Sequence, residues 1–556
     1  MTRVLPNISD RYGADKIKSF YEAGYWTNQT LLDLVDHWAG ERPDDTFVTD
    51  GTSALTFAQL RESAIGTAVG LVRSGIAAGD RIVVQLPNWT DFVVAAVAVA
   101  RCRAILVPIM PIYRNDEVSY ILQHSGARAV ITCKAFIGFD FAAMYSEIRG
   151  ACPEVDAVYL ARMSEGDNGA QPLSSLRVEG EIDDLLVELG EGPGADDGHL
   201  IIYTSGTTAR PKGCFHTWNT IAFTVRVMAQ SLDYSVRDVA FGPSPVTHGT
   251  GYMTSVLIPL FAGGKSHFME SWDPKEAPYR IAKYGCTTTV TATPFLQMLL
   301  DHYDPQTHDL SSMRFWVAAG APIPASIFER SRIVFPRIEV LSLYGRSENF
   351  LTTMCNTDSD PELSTTTDGC APAGVEVAAV DEHGMPVGPG EEGDLSYKGP
   401  GHMIEYYRQP GLTAELFTEE GFSRSGDLGW VNDAGYLRVT GRLKDIIIRG
   451  GLNISAAEIE NLMLTHPSIQ NAAVVAMPDV RLGEKACAYI VPAMGMQPSL
   501  EELASYLRDE HDFAIQKLPE RMELVDALPL TATGKVQKHL LRADVAEKLK
   551  SETVVT

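Results

Sequence analysis

The feature that most constrains this chain is an apolar run that changes abruptly into a loop of hydroxyls and glycines. Residues 200–203, Leu-Ile-Ile-Tyr, are apolar and are followed by turn residues, which predicts a buried strand. Hydroxyls, free backbone N–H groups and an ammonium together suit a polyphosphate. The loop offers this set through Thr204, Ser205, Gly206, Thr207, Thr208 and Lys212. The stretch therefore predicts a phosphate-binding loop.

This loop has two other interpretations. A Walker-type loop has glycine directly before its lysine and Ser or Thr directly after it. Here Pro211 precedes Lys212 and Gly213 follows it, which excludes the ordinary nucleoside-triphosphatase assignment. The other alternative is a polar turn between two strands, without any ligand.

Residues 203–213 resemble the signature Tyr-Thr-Ser-Gly-Thr-Thr-Gly-x-Pro-Lys-Gly of the adenylate-forming enzymes. That superfamily includes acyl-CoA synthetases, adenylation domains and firefly luciferase. Ten of the eleven positions match, counting the free one, and Ala209 stands where the family usually has glycine. The chain looks most similar to the cyclohexanecarboxylate–CoA ligases and the medium-chain acyl-CoA synthetases. The resemblance implies an AMP-forming acid–thiol ligase that uses ATP, Mg²⁺ and coenzyme A.

The same resemblance implies a nucleotide site in the middle of the chain. One face of the adenine slot is expected at Gly320, Ala321 and Pro322, and the opposite face at Tyr344 and Gly345. Magnesium is expected on Glu348, a hard oxygen ligand, with Ser347 nearby. Asp427 is expected to accept hydrogen bonds from the ribose hydroxyls, and Arg442 to contact the ribose and phosphates. The catalytic set implied by the resemblance is Lys535, Lys212, Glu348 and Thr204.

The C-terminal motifs predict a mobile second domain. Lys444, in the stretch 441–454, falls at the family's hinge position, where a few dihedrals absorb a large rotation. Gly450 and Gly451 offer bare backbone, which a narrow pantetheine tunnel needs. Residues 529–535 match the family's C-terminal lysine motif, whose lysine is Lys535.

Three local elements are also predicted. A helix is expected to begin at Leu55, and a β-rich section at Gly393. Ser455 and Glu458, three residues apart, predict a capping box that opens a helix.

Helices alternate with β-branched runs up to about residue 160, which indicates a parallel α/β layer. We therefore expect an α/β fold with a large N-terminal domain over residues 1–443, made of layered α/β sheets and a β-barrel-like subdomain. A small α+β domain is expected over residues 444–556. Residues 164–198 are acidic and rich in Gly, Pro and Ser, so we expect a surface connection there.

The acid substrate is the least determined part of the prediction. Residues 239–270 contain no aspartate that could meet an α-ammonium, which argues against an α-amino acid. A compact, mostly apolar acid is expected, and its pocket is predicted to contain His248, Thr250, Gly251, Trp218 and Ala319. The alternatives are an aryl-acid enzyme that loads a separate carrier protein and a non-catalytic nucleotide-binding module.

Composition limits the remaining classes of partner. The formal charge of −25 argues against nucleic acid, which demands clustered cations. The eight cysteines are scattered, which is typical of reduced thiols in a cytoplasmic protein. The most apolar stretch, residues 92–112, contains Arg101 and Arg103 near its middle, so we expect core rather than a membrane span. Residues 1–16 lack the layout of a signal peptide. The oligomeric state is not predicted.

Overall fold

Two eight-stranded sheets form the body of the N-terminal domain. The computed structural model describes residues 5–204, 210–320, 325–531 and 535–555. Strands of both sheets contribute to one hydrophobic core, for example Val317 and Leu341 of the first sheet and Val83 and Val130 of the second. The predicted α/β layering is confirmed.

The first sheet is parallel except at its two edges. Its carboxyl-terminal strand ends therefore lie along one side, where ligands of α/β sheets are usually bound. Its strands follow one another in the order Thr353–Met354, Glu339–Tyr344, Phe315–Ala319, Thr288–Ala292, Val239–Gly242, Lys265–Phe268, Thr46–Thr49 and Ala54–Thr56.

The second sheet carries the predicted strand of the phosphate loop. Gly198–Tyr203 pairs antiparallel with Gly213–Thr217, and Tyr203 lies opposite Gly213. The Thr204 N–H donates to the carbonyl of Lys212 at 2.9 Å, so the loop leaves and re-enters the sheet at one point. The strand order is Glu405–Tyr406, Gly213–Thr217, Gly198–Tyr203, Ile105–Pro108, Arg81–Gln85, Ala127–Cys133, Ala157–Ala161 and Gln171–Pro172. A separate two-stranded ribbon joins Ala135–Phe136 to Phe139–Asp140.

Helices connect and cover these strands. The helix expected from Leu55 begins at Phe57, because the Thr56 side chain accepts from the N–H of Gln59 and caps it. The α-helices of this domain are Ile8–Arg11, Ala14–Glu22, Leu31–Glu41, Phe57–Arg73, Thr90–Arg101, Asn115–Ser125, Phe141–Ile148, Ile182–Leu189, Trp218–Ser231, Gly249–Tyr252, Ile258–Ala262, Ala277–Tyr284, Thr293–His302, Ala325–Val334, Pro361–Thr366 and Pro410–Ala414. Shorter turns of helix are Arg149–Ala151, Leu173–Leu176 and the π-helical segment Met253–Leu257.

The segment predicted as a surface connection, residues 164–198, is more ordered than expected. It contains the helix Ile182–Leu189, and Leu185 packs against Ile65 and Val69 of the helix Phe57–Arg73. The acidic residues of this short helix face solvent. Because they dominate the composition of the segment, the apolar side of the helix is not apparent from the sequence.

A third sheet follows, in the β-rich region predicted to begin near Gly393. It is antiparallel, and its four strands are Glu376–Val380, Gly393–Lys398, Ser423–Val431 and Leu437–Arg442, in that order.

The smaller C-terminal domain is an α+β unit with its own core. Ser455 caps its first helix as predicted, but the Glu458 carboxylate accepts from Lys517 instead of completing the capping box. Its sheet runs Leu452–Ser455, Ile446–Arg449, Gly483–Pro492 and Ile469–Asp479, with Arg521–Leu524 paired to Gly483–Pro492. Its helices are Ala456–Met463, Leu500–His511 and Lys538–Val555, with short 3₁₀ turns at Leu443–Asp445 and Ile515–Lys517.

None of the helices in the described ranges combines the length and the apolar character needed to cross a bilayer.

Close backbone packing on the helix Phe57–Arg73 gives a stability prediction. A methyl group at Gly70 would lie 2.0 Å from the carbonyl oxygen of Leu176. We expect Gly70→Ala to lower the free energy of unfolding by about 1–3 kcal/mol, because backbone cannot move aside easily. Gly40→Ala, in the helix Leu31–Glu41 with nothing within 4 Å, is the matched control and should be neutral or stabilising. Denaturant unfolding measures the free energy of unfolding of both variants. Equal values for Gly70→Ala and Gly40→Ala would contradict the close packing at Gly70.

Candidate active site

Lys535 of the C-terminal domain lies against the end of a strand in the first sheet. A methyl group on Gly320, which follows the strand Phe315–Ala319, would lie 3.4 Å from Cε of Lys535. Gly320 has a φ of +83°, a conformation that favours glycine. The Lys535 ammonium faces charges from elsewhere in the chain, namely Arg442, Asp427, Arg346 and Glu348. The site is therefore a cleft between the two domains.

Backbone hydrogen bonds hold Lys535 in place. The Thr531 N–H donates to the Lys535 carbonyl at 2.8 Å, and the Lys535 N–H donates to Oγ1 of Thr531 at 3.0 Å. Leu530 and Val536 form a bridge on either side of this pair. Lys535 is thus anchored to Thr531 through its own backbone.

The cleft changes the acidity of Lys535. Burial, and then the neighbouring guanidinium of Arg442, lower its pKa from 10.5 to about 8. The carboxylates of Asp427 and Glu348 oppose this effect. An added anion would therefore be bound favourably beside this lysine.

Glu348 is a buried carboxylate held on one of its two oxygens. It is 3% exposed, and its Oε1 accepts from Nη2 of Arg346 at 2.9 Å and from the hydroxyl of Tyr406 at 2.5 Å. Over the described ranges, Oε2 receives no side-chain hydrogen bond. A hard cation such as Mg²⁺ fits an open carboxylate oxygen of this kind. The described residues contain no group of three or more His, Cys, Asp or Glu suited to a metal.

Ser347, the other predicted metal residue, is fixed through its backbone. Its carbonyl lies 2.8 Å from Nε2 of the buried His216, whose Nδ1 faces the hydroxyl of Thr220 at 3.1 Å. Burial lowers the pKa of His216 to about 4, so the ring is neutral near pH 7. A neutral His216 donates through Nε2 to Ser347 and adds no competing charge beside Glu348.

Lys212 approaches the same place from the phosphate loop. Its ammonium lies 4.7 Å from the centre of the Tyr406 ring. Thr204 holds the loop closed through the carbonyl of Lys212. The remaining predicted loop residues, Ser205, Gly206, Thr207 and Thr208, lie outside the described residues, as does Ala209.

Asp427 joins two of the predicted nucleotide residues. Its Oδ2 accepts from the hydroxyl of Tyr344 at 2.7 Å, and its Oδ1 lies 2.9 Å from Nε of Arg442. Asp427 and Arg442 are cross-strand neighbours in the third sheet. Gly345 allows the following turn to pack closely, since a methyl group there would lie 2.0 Å from the Phe350 carbonyl. Ala321 and Pro322 lie outside the described residues.

His248 and Ala319 border the same cleft, His248 by facing Lys535 and Ala319 by preceding Gly320, and Thr250 and Gly251 follow His248 in the chain. Burial, and then the Lys535 cation, lower the pKa of His248 to about 4, so its imidazole is neutral. The His248 side chain accepts from the Thr250 N–H at 3.3 Å. Gly251 packs so tightly that a methyl group would lie 2.1 Å from the Pro245 carbonyl. Ala319 is buried at the end of its strand.

Two predicted regions are not brought to this cleft by the contacts of the described residues. Trp218 donates to the Gln29 carbonyl at 2.8 Å, at the opposite end of the strand Gly213–Thr217 from Lys212. Gly450 and Gly451 form an exposed hairpin turn with φ of 57° and 88°.

Lys444 lies in the turn Leu443–Asp445, directly after Arg442, and its ammonium faces the charges of Arg442 and Asp427. The Lys444 carbonyl accepts from Arg542 at 3.2 Å. The predicted hinge residue therefore borders the cleft.

The sequence interpretation missed Arg346, Tyr406 and His216. Arg346 lies two residues before Glu348 in the same motif. This spacing of a cation and a carboxylate could have identified Arg346 as a site residue. Tyr406 is 58 residues from Glu348, and no local pattern connects them. His216 follows the phosphate loop by four residues but is oriented by Ser347, 131 residues away.

Known proteins resemble this chain over nearly its whole length. The family model for AMP-binding enzymes matches residues 35–407, and the model for the C-terminal domain of AMP-binding enzymes matches 458–535. A medium-chain fatty-acid–CoA ligase of Escherichia coli (strain K12) is 34% identical, with 96% of this chain and 93% of the relative covered. A salicyl-AMP ligase / salicyl-S-ArCP synthetase of Mycobacterium tuberculosis is 31% identical, covering 95% and 93%. The ATP-bound structure of MatB from Rhodopseudomonas palustris has a TM-score of 0.80 at 25% identity, covering 93% and 99%.

The charge arrangement predicts how the acidity of Lys535 responds to mutation. Since the Arg442 cation lowers the pKa of Lys535, Arg442→Met should raise that pKa above about 8. Asp427→Asn should lower it, because a stabilising anion is lost. Reductive ¹³C-methylation followed by NMR titration measures both, with Lys535→Arg assigning the signal. An unchanged midpoint in both variants would show that Lys535 does not lie in this cleft.

Proposed function

The chain belongs to the family of AMP-binding enzymes, as its sequence predicted, and we propose that it is an AMP-forming carboxylate–CoA ligase acting on a compact apolar acid. The observation that carries the proposal is the position of Lys535 beside Gly320, in one cleft with Glu348 and Asp427. A lysine brought from a separate domain into this cleft supplies a cation where two anions must meet.

The first step joins the acid to the nucleotide. A carboxylate oxygen attacks the α-phosphorus of ATP, the new O–P bond forms, and pyrophosphate leaves with the electrons of the broken P–O bond. Both reactants are anions, so neutralisation and in-line positioning are the main requirements. Lys535 would lie between the carboxylate and the α-phosphate. No protein nucleophile is required.

The phosphates and the metal would be held on the other side of the cleft. Lys212 and the loop that begins at Thr204 would bind the β- and γ-phosphates. Glu348, with Ser347 beside it, would hold Mg²⁺ through Oε2, the oxygen that receives no side-chain hydrogen bond over the described ranges. Bound magnesium would supply positive charge to phosphate oxygens.

The nucleoside would lie along the third sheet. Asp427 has acceptor capacity for ribose hydroxyls, and its contact with the Tyr344 hydroxyl fixes that ring beside the sugar. Arg442 would contact the ribose and the phosphates. The flat adenine ring would lie between the backbone at Gly320 and the ring of Tyr344.

The acid pocket would be formed by His248, Thr250, Gly251 and Ala319, and Trp218 remains a predicted member further along the core. The neutral imidazole of His248 supports an apolar acid, because it adds no charge to the wall. The buried methyl of Ala319 would shorten the channel. These features support a short, medium-chain or alicyclic acid.

The second step requires Lys535 to leave. The thiol of coenzyme A loses its proton to solvent, and the thiolate attacks the acyl carbon of the mixed anhydride. The new C–S bond forms, and AMP departs with the electrons of the broken C–O bond. We propose that the domain from Lys444 onward rotates about that residue. The rotation would remove Lys535 and bring the exposed Gly450–Gly451 turn to the thiol tunnel.

A separate carrier protein is the alternative acceptor of the acyl group. It is favoured by the 31% identity to the salicyl-AMP ligase / salicyl-S-ArCP synthetase. The two candidates share the first step and differ only in the thiol that receives the acyl group.

The test is a screen of AMP release over short, branched, alicyclic, aromatic and long-chain acids, with and without coenzyme A. The proposed ligase should release AMP with multiple turnovers only when a compact apolar acid and coenzyme A are both present. Acid-dependent pyrophosphate exchange without coenzyme A-dependent AMP release would favour the carrier-protein alternative. Absence of exchange with every acid would overturn both.

Lys535→Ala separates the two steps. We expect it to reduce acid-dependent ATP–pyrophosphate exchange by at least about a hundredfold, since a cation in the transition state is lost. Conversion of synthetic acyl-adenylate to thioester should remain close to wild type. Lys550→Ala, an exposed lysine of the C-terminal helix, is the control. Equal loss of both half-reactions in Lys535→Ala would contradict the swinging-lysine account.

A further inference from the structure

Tyr406 contacts both of the opposite charges proposed to hold the pyrophosphate end of ATP. Its hydroxyl donates to Oε1 of Glu348 at 2.5 Å, and its ring lies 4.7 Å from the Lys212 ammonium. The side chain is 2% exposed. One residue therefore connects the predicted metal ligand to the predicted phosphate cation.

The backbone fixes this bridge from both sides. Tyr406 lies opposite Cys214 on the strand that follows Lys212. Earlier in the same segment, the Met403 N–H donates to the carbonyl of Glu348 at 2.7 Å. The distance between Glu348 and the Lys212 strand is thereby set by the short segment from Met403 to Tyr406.

The two donors on Glu348 act on the same oxygen. Arg346 and Tyr406 both bind Oε1, which leaves Oε2 open over the described part of the chain. A guanidinium tends to bind a carboxylate through both oxygens when nothing prevents it. The Tyr406 hydroxyl occupies one side of Oε1 and opposes rotation of the carboxylate toward a two-oxygen pair with Arg346.

We propose that Tyr406 is a positioning residue that keeps Oε2 of Glu348 available to the divalent cation and holds the Lys212 ammonium over its ring. The proposal rests on the proposed function, since it assigns this role at the metal–phosphate site. The hydroxyl acts on the metal ligand, and the ring acts on the lysine. The two contributions can therefore be removed separately.

Tyr406→Phe removes the hydroxyl and keeps the ring, and Tyr406→Leu removes both. The matched control is Tyr407→Phe, which deletes the neighbouring hydroxyl of a ring that stacks on Phe215 at 5.9 Å. Binding is measured without turnover, by Mn²⁺ titration with electron paramagnetic resonance in the presence of α,β-methylene-ATP. Binding of the same analogue in EDTA is measured by calorimetry.

Tyr406→Phe should weaken Mn²⁺ binding roughly three- to tenfold, the range of one ordinary hydrogen bond, because the lost hydroxyl acts on the metal only through Glu348. Its metal-free binding of the analogue should stay within about twofold of wild type, because the ring contact with Lys212 is kept. Tyr406→Leu should weaken both. Tyr407→Phe should change neither.

Coupling to Glu348 distinguishes positioning from loss of packing. In a Glu348→Gln background, Tyr406→Phe should cause little further loss of Mn²⁺ binding, since the carboxylate it orients is gone. If Tyr406→Phe also lowers thermal stability, this double-mutant cycle still distinguishes a positioning role from a loss of packing.

Three results would each overturn the proposal. Tyr406→Phe could keep wild-type Mn²⁺ affinity, or it could lose the same Mn²⁺ affinity as Tyr407→Phe. The third result is that the losses of Mn²⁺ affinity in Tyr406→Phe and Glu348→Gln are additive. Failure of the wild type to bind Mn²⁺ with the analogue would also overturn the proposal. If the wild-type protein binds both Mn²⁺ and the analogue but shows no acid-dependent ATP–pyrophosphate exchange, only the proposed function is overturned.

Discussion

The structure depends on the placement of one ammonium from the C-terminal domain among the charges of the N-terminal domain. Lys535 lies beside Gly320, with Arg442 lowering its pKa and the carboxylates of Asp427 and Glu348 opposing that effect. A cation held against another cation is costly unless an anion joins them. The cleft thus favours binding of a negatively charged ligand. The proposed reaction brings two such ligands, ATP and a carboxylate.

The fold supplies rigid supports for this arrangement. The carboxyl end of a parallel strand presents Gly320, an antiparallel pair presents Asp427, and the turn after Tyr344 presents Glu348. Gly320 and Glu348 follow strands of the first sheet, and Asp427 lies within a strand paired to Leu437–Arg442, so small displacements are resisted. Of the site residues named above, Lys535 alone comes from the other domain, so the proposed first step would depend on domain position.

Residues whose roles follow from a local pattern were predictable from the sequence. The strand before the phosphate loop and the capping role of Ser455 depend on neighbours within a few positions. Tyr406 and Arg346 were not found, because their common contact on Glu348 is created by strand pairing between distant segments. The helix Ile182–Leu189 was missed since its acidic composition resembles a loop, while tertiary packing of Leu185 stabilises it.

The most direct measurement is a crystal structure with a non-hydrolysable acyl-adenylate analogue, an N-acylsulfamoyl adenosine bearing a compact apolar acyl group. The account predicts that Nζ of Lys535 lies within about 3.2 Å of the analogue's oxygens, with the ribose on Asp427. A structure with the analogue in the cleft and Lys535 in solvent, whichever way the domains are arranged, would contradict it.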